Sequence, residues 1–288
     1  MEFTAWVDGL RRYLSAAIVR LGDVDPAGRL RVDALARYLQ DVATDDWNDT
    51  GLATESDDVW LVRRTAWRRV AGARWPGYLE GLELATWCAG TGPAWAERRT
   101  DVLVDGVVVI ETVALWVPTD LEGRPVRMRE SFFAAYGEAA RERRVSSRVG
   151  VPPMTEGAVR RPWPTRRSDL DLVGHVNNAA VWEAVTEVAP GPLDAASVIH
   201  HGPLEHGDAV TLVAGDRVAW LVVDDEVRVS ATYAAWVSAR ASSRPRARGR
   251  VVARIEPTST RGKPTAMPAV SGSCSPTTPK TTARAVLR

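Results

Sequence analysis

The sequence carries one short pattern twice, and an internal repeat constrains the fold of a chain more than any other feature it has. Residues 23–30 read Asp23-Val24-Asp25-Pro26-Ala27-Gly28-Arg29-Leu30, and residues 169–176 read Asp169-Leu170-Asp171-Leu172-Val173-Gly174-His175-Val176. Asp23, Asp25 and Gly28 recur as Asp169, Asp171 and Gly174 at a shift of 146, and Arg29 stands where His175 is. Each pattern leads into an apolar stripe of helical spacing, Leu35, Tyr38, Leu39 and Val42 in the first and Val181, Ala184, Val185 and Val188 in the second. A second match lies at a shift of 120. Val107, Val109, Thr112, Ala114, Trp116 and Val117 answer to Val227, Val229, Thr232, Ala234, Trp236 and Val237, each run preceded by an acidic turn at Asp105-Gly106 or Asp224-Asp225. Order and phase are both kept. The chain is therefore a duplicated module whose second copy is 26 residues shorter between its helix and its last hairpin.

The element pattern within each copy is one long helix followed by an antiparallel meander. The periodicities predict a strand over 15–22, a helix over 31–43 and strands over 59–70, 82–89, 94–104 and 107–117, the last pair joined by a tight Asp-Gly hairpin. A connecting helix is expected over 132–144. The second copy predicts a strand near 163–168, a helix over 178–189 and strands over 195–202, 209–215, 217–223 and 227–237. This is an α+β class, with each helix wrapped by its own sheet. The organisation follows: an N-terminal module over 1–140 with a degenerate site, a basic linker over 141–162, a C-terminal module over 163–239 with the intact motif, and a tail over 240–288.

That tail differs in composition from the rest. It holds both lysines of the chain, Lys263 and Lys280, with nine arginines against the single acid Glu256. A segment this basic and this rich in Pro, Ser and Thr buries too little apolar surface to order itself, so disorder is expected there. It lacks the interleaved aromatics of a nucleic-acid-binding arm. Elsewhere no apolar run approaches a membrane span and the start has no signal-peptide pattern, so a cytoplasmic protein is expected. With only Cys88 and Cys274, neither a disulfide framework nor a cysteine metal cluster is expected. His200 and His201 alternate across a strand, which argues against a metal site, and no cofactor is implied.

The second copy of the pattern carries chemistry. Asp169, Asp171, Gly174, His175, Asn177 and Asn178 fall just before a helix, where backbone N–H groups are free. Asp171, beside Leu170, Leu172 and Val173, is a base or nucleophile candidate if those neighbours desolvate it. His175, four residues on, can act with it. Amides from Gly174 onward can polarise a carbonyl, and Asn177 and Asn178 can cap the helix or orient a substrate. In the first copy Arg29 replaces the histidine, so that motif reads as vestigial or substrate-facing.

A strand, the run Asp-x-Asp-x-x-Gly-His-Val-Asn-Asn and a helix, duplicated in one chain, resemble the acyl-acyl-carrier-protein thioesterases of the hotdog superfamily. Trp60-Leu61-Val62-Arg63-Arg64, Trp75-Pro76-Gly77 and Trp116-Val117 add to the likeness, which covers most of residues 15–237. The resemblance implies tandem hotdog modules in one chain and hydrolysis of fatty acyl-acyl-carrier-protein thioesters to free fatty acids. Asp171, His175 and Asn177 would be catalytic, with Gly174, Asn178 and Glu205 at the oxyanion or substrate. Two departures stand out. Plant members have an asparagine where this chain has Val173, and their downstream acid falls here at Pro203 or Leu204, with His201 and Glu205 close by. An acyl-coenzyme A thioesterase, or a silent acyl-binding protein on the same fold, is the alternative. An acidic carrier protein would need a basic dock, for which Arg160 and Arg161 in the linker are the candidates. A monomer or homodimer is expected.

Overall fold

The computed structural model describes residues 2–54, 58–189 and 191–235; the tail expected to be disordered, 240–288, lies outside them. The strands are β1 Tyr13–Ile18, β2 Val59–Arg69, β3 Gly81–Gly92, β4 Trp95–Val104, β5 Val107–Thr119, β6 Val159–Pro162, β7 Leu193–His200, β8 Thr211–Gly215, β9 Val218–Val223 and β10 Glu226–Ala235. The helices are α1 Val32–Asp49, α2 Glu130–Tyr136, α3 Ala139–Glu142 and α4 Asn178–Val188.

The ten strands form one sheet in the order β1-β3-β4-β5-β2-β7-β10-β9-β8-β6, every neighbouring pair antiparallel. Read inward from either edge, the connectivity is the same. β1, β3, β4, β5 and β2 of one half correspond to β6, β8, β9, β10 and β7 of the other. The halves join where β2 pairs β7, from Arg64 opposite Ile199 to Arg68 opposite Ala195. α1 and α4 pack against each other, and a single apolar core takes in Leu35 and Val42 of α1, Val181 and Trp182 of α4, and Trp67, Val198 and Ala231 of the sheet. This is the α+β tandem hotdog arrangement.

The last hairpin recurs at a shift of 119, not 120. Thr112 and Ala114, which face the helices, correspond to Ala231 and Tyr233, while Thr232 and Ala234 lie on the opposite face, so the phase expected from sequence is off by one residue. Asp105 and Gly106, and their counterparts Asp224 and Asp225, all have positive φ (53°, 74°, 48° and 61°), the paired left-handed residues of the hairpin turn that matches strand twist. The shortening of the second copy falls partly on the middle strands, since β3 and β4 run 12 and 10 residues but β8 and β9 only 5 and 6.

Several boundaries differ from the sequence reading. The strand expected over 15–22 is Tyr13–Ile18, followed by a 3-10 turn at Leu21–Asp23, and that expected over 195–202 is Leu193–His200. α1 runs on to Asp49, past the expected end at 43. The connecting helix breaks into α2 and α3 at Gly137, whose φ is 93° and where a Cβ would lie 2.3 Å from the Gly9 carbonyl oxygen. The first strand of the second module lies at 159–162, inside the expected linker, not at 163–168. β6 is an edge strand, where exposed arginines and a proline are tolerated and hide the strand signal.

The outer face of the sheet is covered at both ends. In the first module Phe132, Phe133 and Tyr136 of α2 pack on Trp87. In the second, the connector supplies Ala158 against Trp220, whose indole Nε1 donates to the Pro152 carbonyl at 2.9 Å.

Candidate active site

The second copy of the motif folds as a 3-10 turn over Arg167–Asp169, a tight loop and then α4. Asp169 is buried and fastens the turn, taking hydrogen bonds from the Arg166 amide and guanidinium, both at 2.8 Å. Asp171 closes the loop: its Oδ1 accepts from the amides of Val173 (3.0 Å) and His175 (3.1 Å). Its Oδ2 accepts no hydrogen bond among the described residues. The desolvation expected from the apolar neighbours is absent, because Leu172 and Val173 turn outward with 84% and 55% of their surface exposed. Gly174 has φ 84° and open space where a Cβ would be, so the left-handed turn requires it, not a close approach.

The amides from Gly174 to Asn177 are all engaged within the loop or with Leu204. The Gly174 amide donates to the Asp171 carbonyl at 3.1 Å, Val176 to Leu204 at 2.7 Å and Asn177 to Asp169 at 2.7 Å. With His175 held by Asp171, all four have partners. Asn177 is the N-cap, its Oδ1 accepting from the Ala179 amide at 2.8 Å. The first amide with no partner among the described residues is therefore that of Asn178, at the positive end of α4. Asn178 and Trp182 line a narrow cavity with Leu39 and Gln40 of α1 and Thr65 and Trp116 of the sheet. At about 30 Å³ it has room for one or two waters. Because Asn177 caps α4, Asn177→Ala should lower stability by about 1 kcal/mol in urea unfolding.

The imidazole of His175 makes no hydrogen bond among the described residues, and its backbone forms an antiparallel bridge with Glu205. Glu205 thus lies across from His175 with its own side chain exposed, while its amide donates to Asp208 Oδ2 at 2.7 Å. The motif brings Asp171, His175, Asn177, Asn178 and Glu205 to one loop cluster. His201 is elsewhere, its Nε2 2.9 Å from Ser230 Oγ. Burial and the nearby Arg63 push His200 down to about 4, so it is neutral near pH 7. Arg160 and Arg161 are exposed on β6; Arg161 donates to the Glu187 carbonyl at 3.1 Å at the end of α4.

The first copy has the same loop, with its outer carboxylate oxygen paired. Asp25 Oδ1 accepts from Ala27 and Arg29 amides at 2.8 and 3.0 Å, Gly28 has φ 76°, and the Leu30 amide donates to Pro76 as Val176 does to Leu204. The oxygen left open in Asp171, however, is taken here by the Arg29 guanidinium at 2.7 Å. Burial works against ionisation of Asp25, but the Arg29 and Ala27 hydrogen bonds outweigh it and hold its carboxyl below the ordinary range. At the start of α1 the buried Asp33 is clamped by Arg31 (2.6 Å) and Arg37 (2.8 Å). Sequence alone signals these pairings only through Arg29, because Asp33 looks like an ordinary first-turn acid.

Comparison with known proteins gives the family and the fold. The pattern of the acyl-ACP thioesterase N-terminal domain matches residues 11–136, and that of the acyl-ACP thioesterase C-terminal domain matches residues 154–217. The chain is 27% identical over 220 residues to the uncharacterized protein Rv2001 of Mycobacterium tuberculosis, covering 73% of this chain and 86% of that one. It is 25% identical over 199 residues to the chloroplastic oleoyl-acyl carrier protein thioesterase 2 of Arabidopsis thaliana, covering 62% of this chain and 54% of the plant protein. The solved 12:0-ACP thioesterase from Umbellularia californica shares the fold, with a TM-score of 0.65 at 16% identity over 77% of this chain and 96% of that one. No helix among the described residues is long and apolar enough to cross a membrane.

Proposed function

Because the chain belongs to the acyl-ACP thioesterase family, we propose that it hydrolyses fatty acyl-acyl-carrier-protein thioesters to free fatty acid at the second-module loop. The observation that carries this reading is the contrast between the two loops. One backbone is built twice, and only in the second copy is the outer carboxylate oxygen without a partner among the described residues, with an imidazole in place of the arginine that occupies it in the first. In the proposed reaction the thioester carbonyl oxygen lies at the Asn178 amide, where such a donor contributes about 3 to 4 kcal/mol to the developing oxyanion. Asp171 acts through Oδ2, taking the proton of the attacking water, or attacking the carbonyl itself to give a mixed anhydride that water then cleaves to free fatty acid and the restored carboxylate. His175 supplies the proton to the departing thiolate, and Glu205, set across the backbone bridge, faces the substrate. Asn177 holds the start of α4 in position.

Thiol release by the purified chain, followed with acyl-carrier protein and acyl-coenzyme A side by side, tests this. Turnover with the carrier thioester at the higher kcat/KM is expected. Turnover of coenzyme A thioesters alone would make the chain an acyl-coenzyme A thioesterase. Acyl binding without any turnover would make it a silent binding protein, a reading supported by Val173, which has no side-chain hydrogen-bonding group where plant relatives carry asparagine.

The carrier reading adds a prediction. Arg160 and Arg161 stand exposed on the edge strand that leads to the loop. Reversing both charges should raise KM for the acyl-carrier protein several-fold, leave coenzyme A thioesters nearly unchanged, and lose its effect at high salt. Equal effects on both substrates would remove these arginines from carrier docking.

A further inference from the structure

The sheet face turned away from α1 and α4 carries an arginine that forms no ion pair among the described residues. Along β2, Thr65 and Trp67 face the helices, so Arg64, Ala66 and Arg68 face outward. Strand registers set three rows there: Glu97, Leu115, Arg64 and Ile199; Arg99, Val113, Ala66, Ser197 and Thr232; Asp101, Glu111, Arg68, Ala195 and Ala234. At the seam between the modules these side chains are small, and they leave a groove of about 480 Å³, within the range of ligand sites. Phe3 walls one side, with the Arg68 guanidinium 4.2 Å from its ring.

Each carboxylate on these rows already has a cation: Glu97 has Arg143 at 2.6 Å, Asp101 has Arg99 at 3.1 Å and Glu111 has Arg68 at 2.7 Å. Arg64 is left over. It makes no ion pair among the described residues, its Nε is buried without a hydrogen-bond partner, and it lines the groove. Burial also lowers its pKa from the usual arginine value, only partly offset by Glu97. A half-buried guanidinium with one buried, unpartnered N–H carries a partial desolvation cost, and a counter-anion in the groove offsets it. A single arginine without an ion pair suits a monoanion better than a phosphate dianion. The floor of Ala66, Ala195 and Ala234, with Phe3 and Ile199, suits an apolar stem, and Ser197 supplies a hydroxyl beside the charge.

We infer that this groove binds an aliphatic carboxylate, head group on Arg64 and chain along the alanine floor, at a site separate from the hydrolytic loop and independent of its reaction. Calorimetric titration of the full chain with sodium decanoate, below its micellar concentration, tests this. One saturable site is expected, weakened at least tenfold by Arg64→Gln and, independently, by Ala66→Phe, which fills the groove. Arg64→Gln should also melt at the same or a higher temperature, because it removes a half-buried charge that has no ion pair among the described residues, and thioester hydrolysis should stay within twofold of wild type. No binding, or binding of equal strength in both variants, would overturn the inference while leaving the proposed hydrolysis untouched. Displacement of decanoate by millimolar inorganic phosphate would overturn it too, by showing a plain anion site.

Discussion

Replacing His175 with alanine is expected to lower kcat/KM for an acyl thioester about 10²- to 10⁴-fold, the range of a positioned proton donor, with the melting temperature nearly unchanged. The side chain makes no hydrogen bond among the described residues, so its loss removes chemistry without removing a structural contact. Asp171 separates two roles held by one residue. Asp171→Asn keeps an oxygen to accept the Val173 and His175 amides but loses the charge, so it should lose rate and keep the fold. Asp171→Ala loses both, and unfolding in urea should then also show a cost of about 1 to 3 kcal/mol from two released loop amides. Rates near wild type in His175→Ala and Asp171→Asn would remove this loop from the reaction.

The second large effect concerns the core shared by the modules. Trp67 is 1% exposed on β2, opposite Ala196 of β7 at the seam, and packs 5.1 Å from the Trp75 ring. Trp67→Ala should cost about 3 to 5 kcal/mol in urea unfolding, the range for emptying an aromatic site. Because α1, α4 and both halves of the sheet share that core, the loss should appear in one transition and not as early melting of one module. Trp67→Phe should cost far less, since the indole Nε1 is buried without a partner and its removal relieves an unmet donor.

Much of this was legible in the sequence because duplication leaves two readings of each feature. The Asp-x-Asp-x-x-Gly spacing placed both loops, the apolar stripes placed the helix behind each, and the acidic turns placed the last hairpins. The rest depends on partners far apart in the chain. That the Gly174-to-Asn177 amides are spent could not be read locally, since Val176 donates to Leu204, 28 residues away. Glu205 was only a neighbour of the aligned position in sequence, and the bridge to His175 sets it opposite the imidazole's own backbone. β6 was hidden because its arginines and proline suit an edge and lack the alternation of a central strand. The groove at Arg64 needed four strand registers at once, which periodicity within one strand does not supply.

The central claim is that one loop backbone, made twice, is live only in the second module. It is tested most directly by thiol release from acyl-carrier protein in two matched variants of the full chain. Asp25→Asn with Arg29→Ala alters the first loop, and Asp171→Asn with His175→Ala alters the second. The account predicts a rate within about twofold of wild type for the first pair and a loss of at least about a hundredfold for the second. A comparable loss in both, or a loss confined to the first pair, would contradict it.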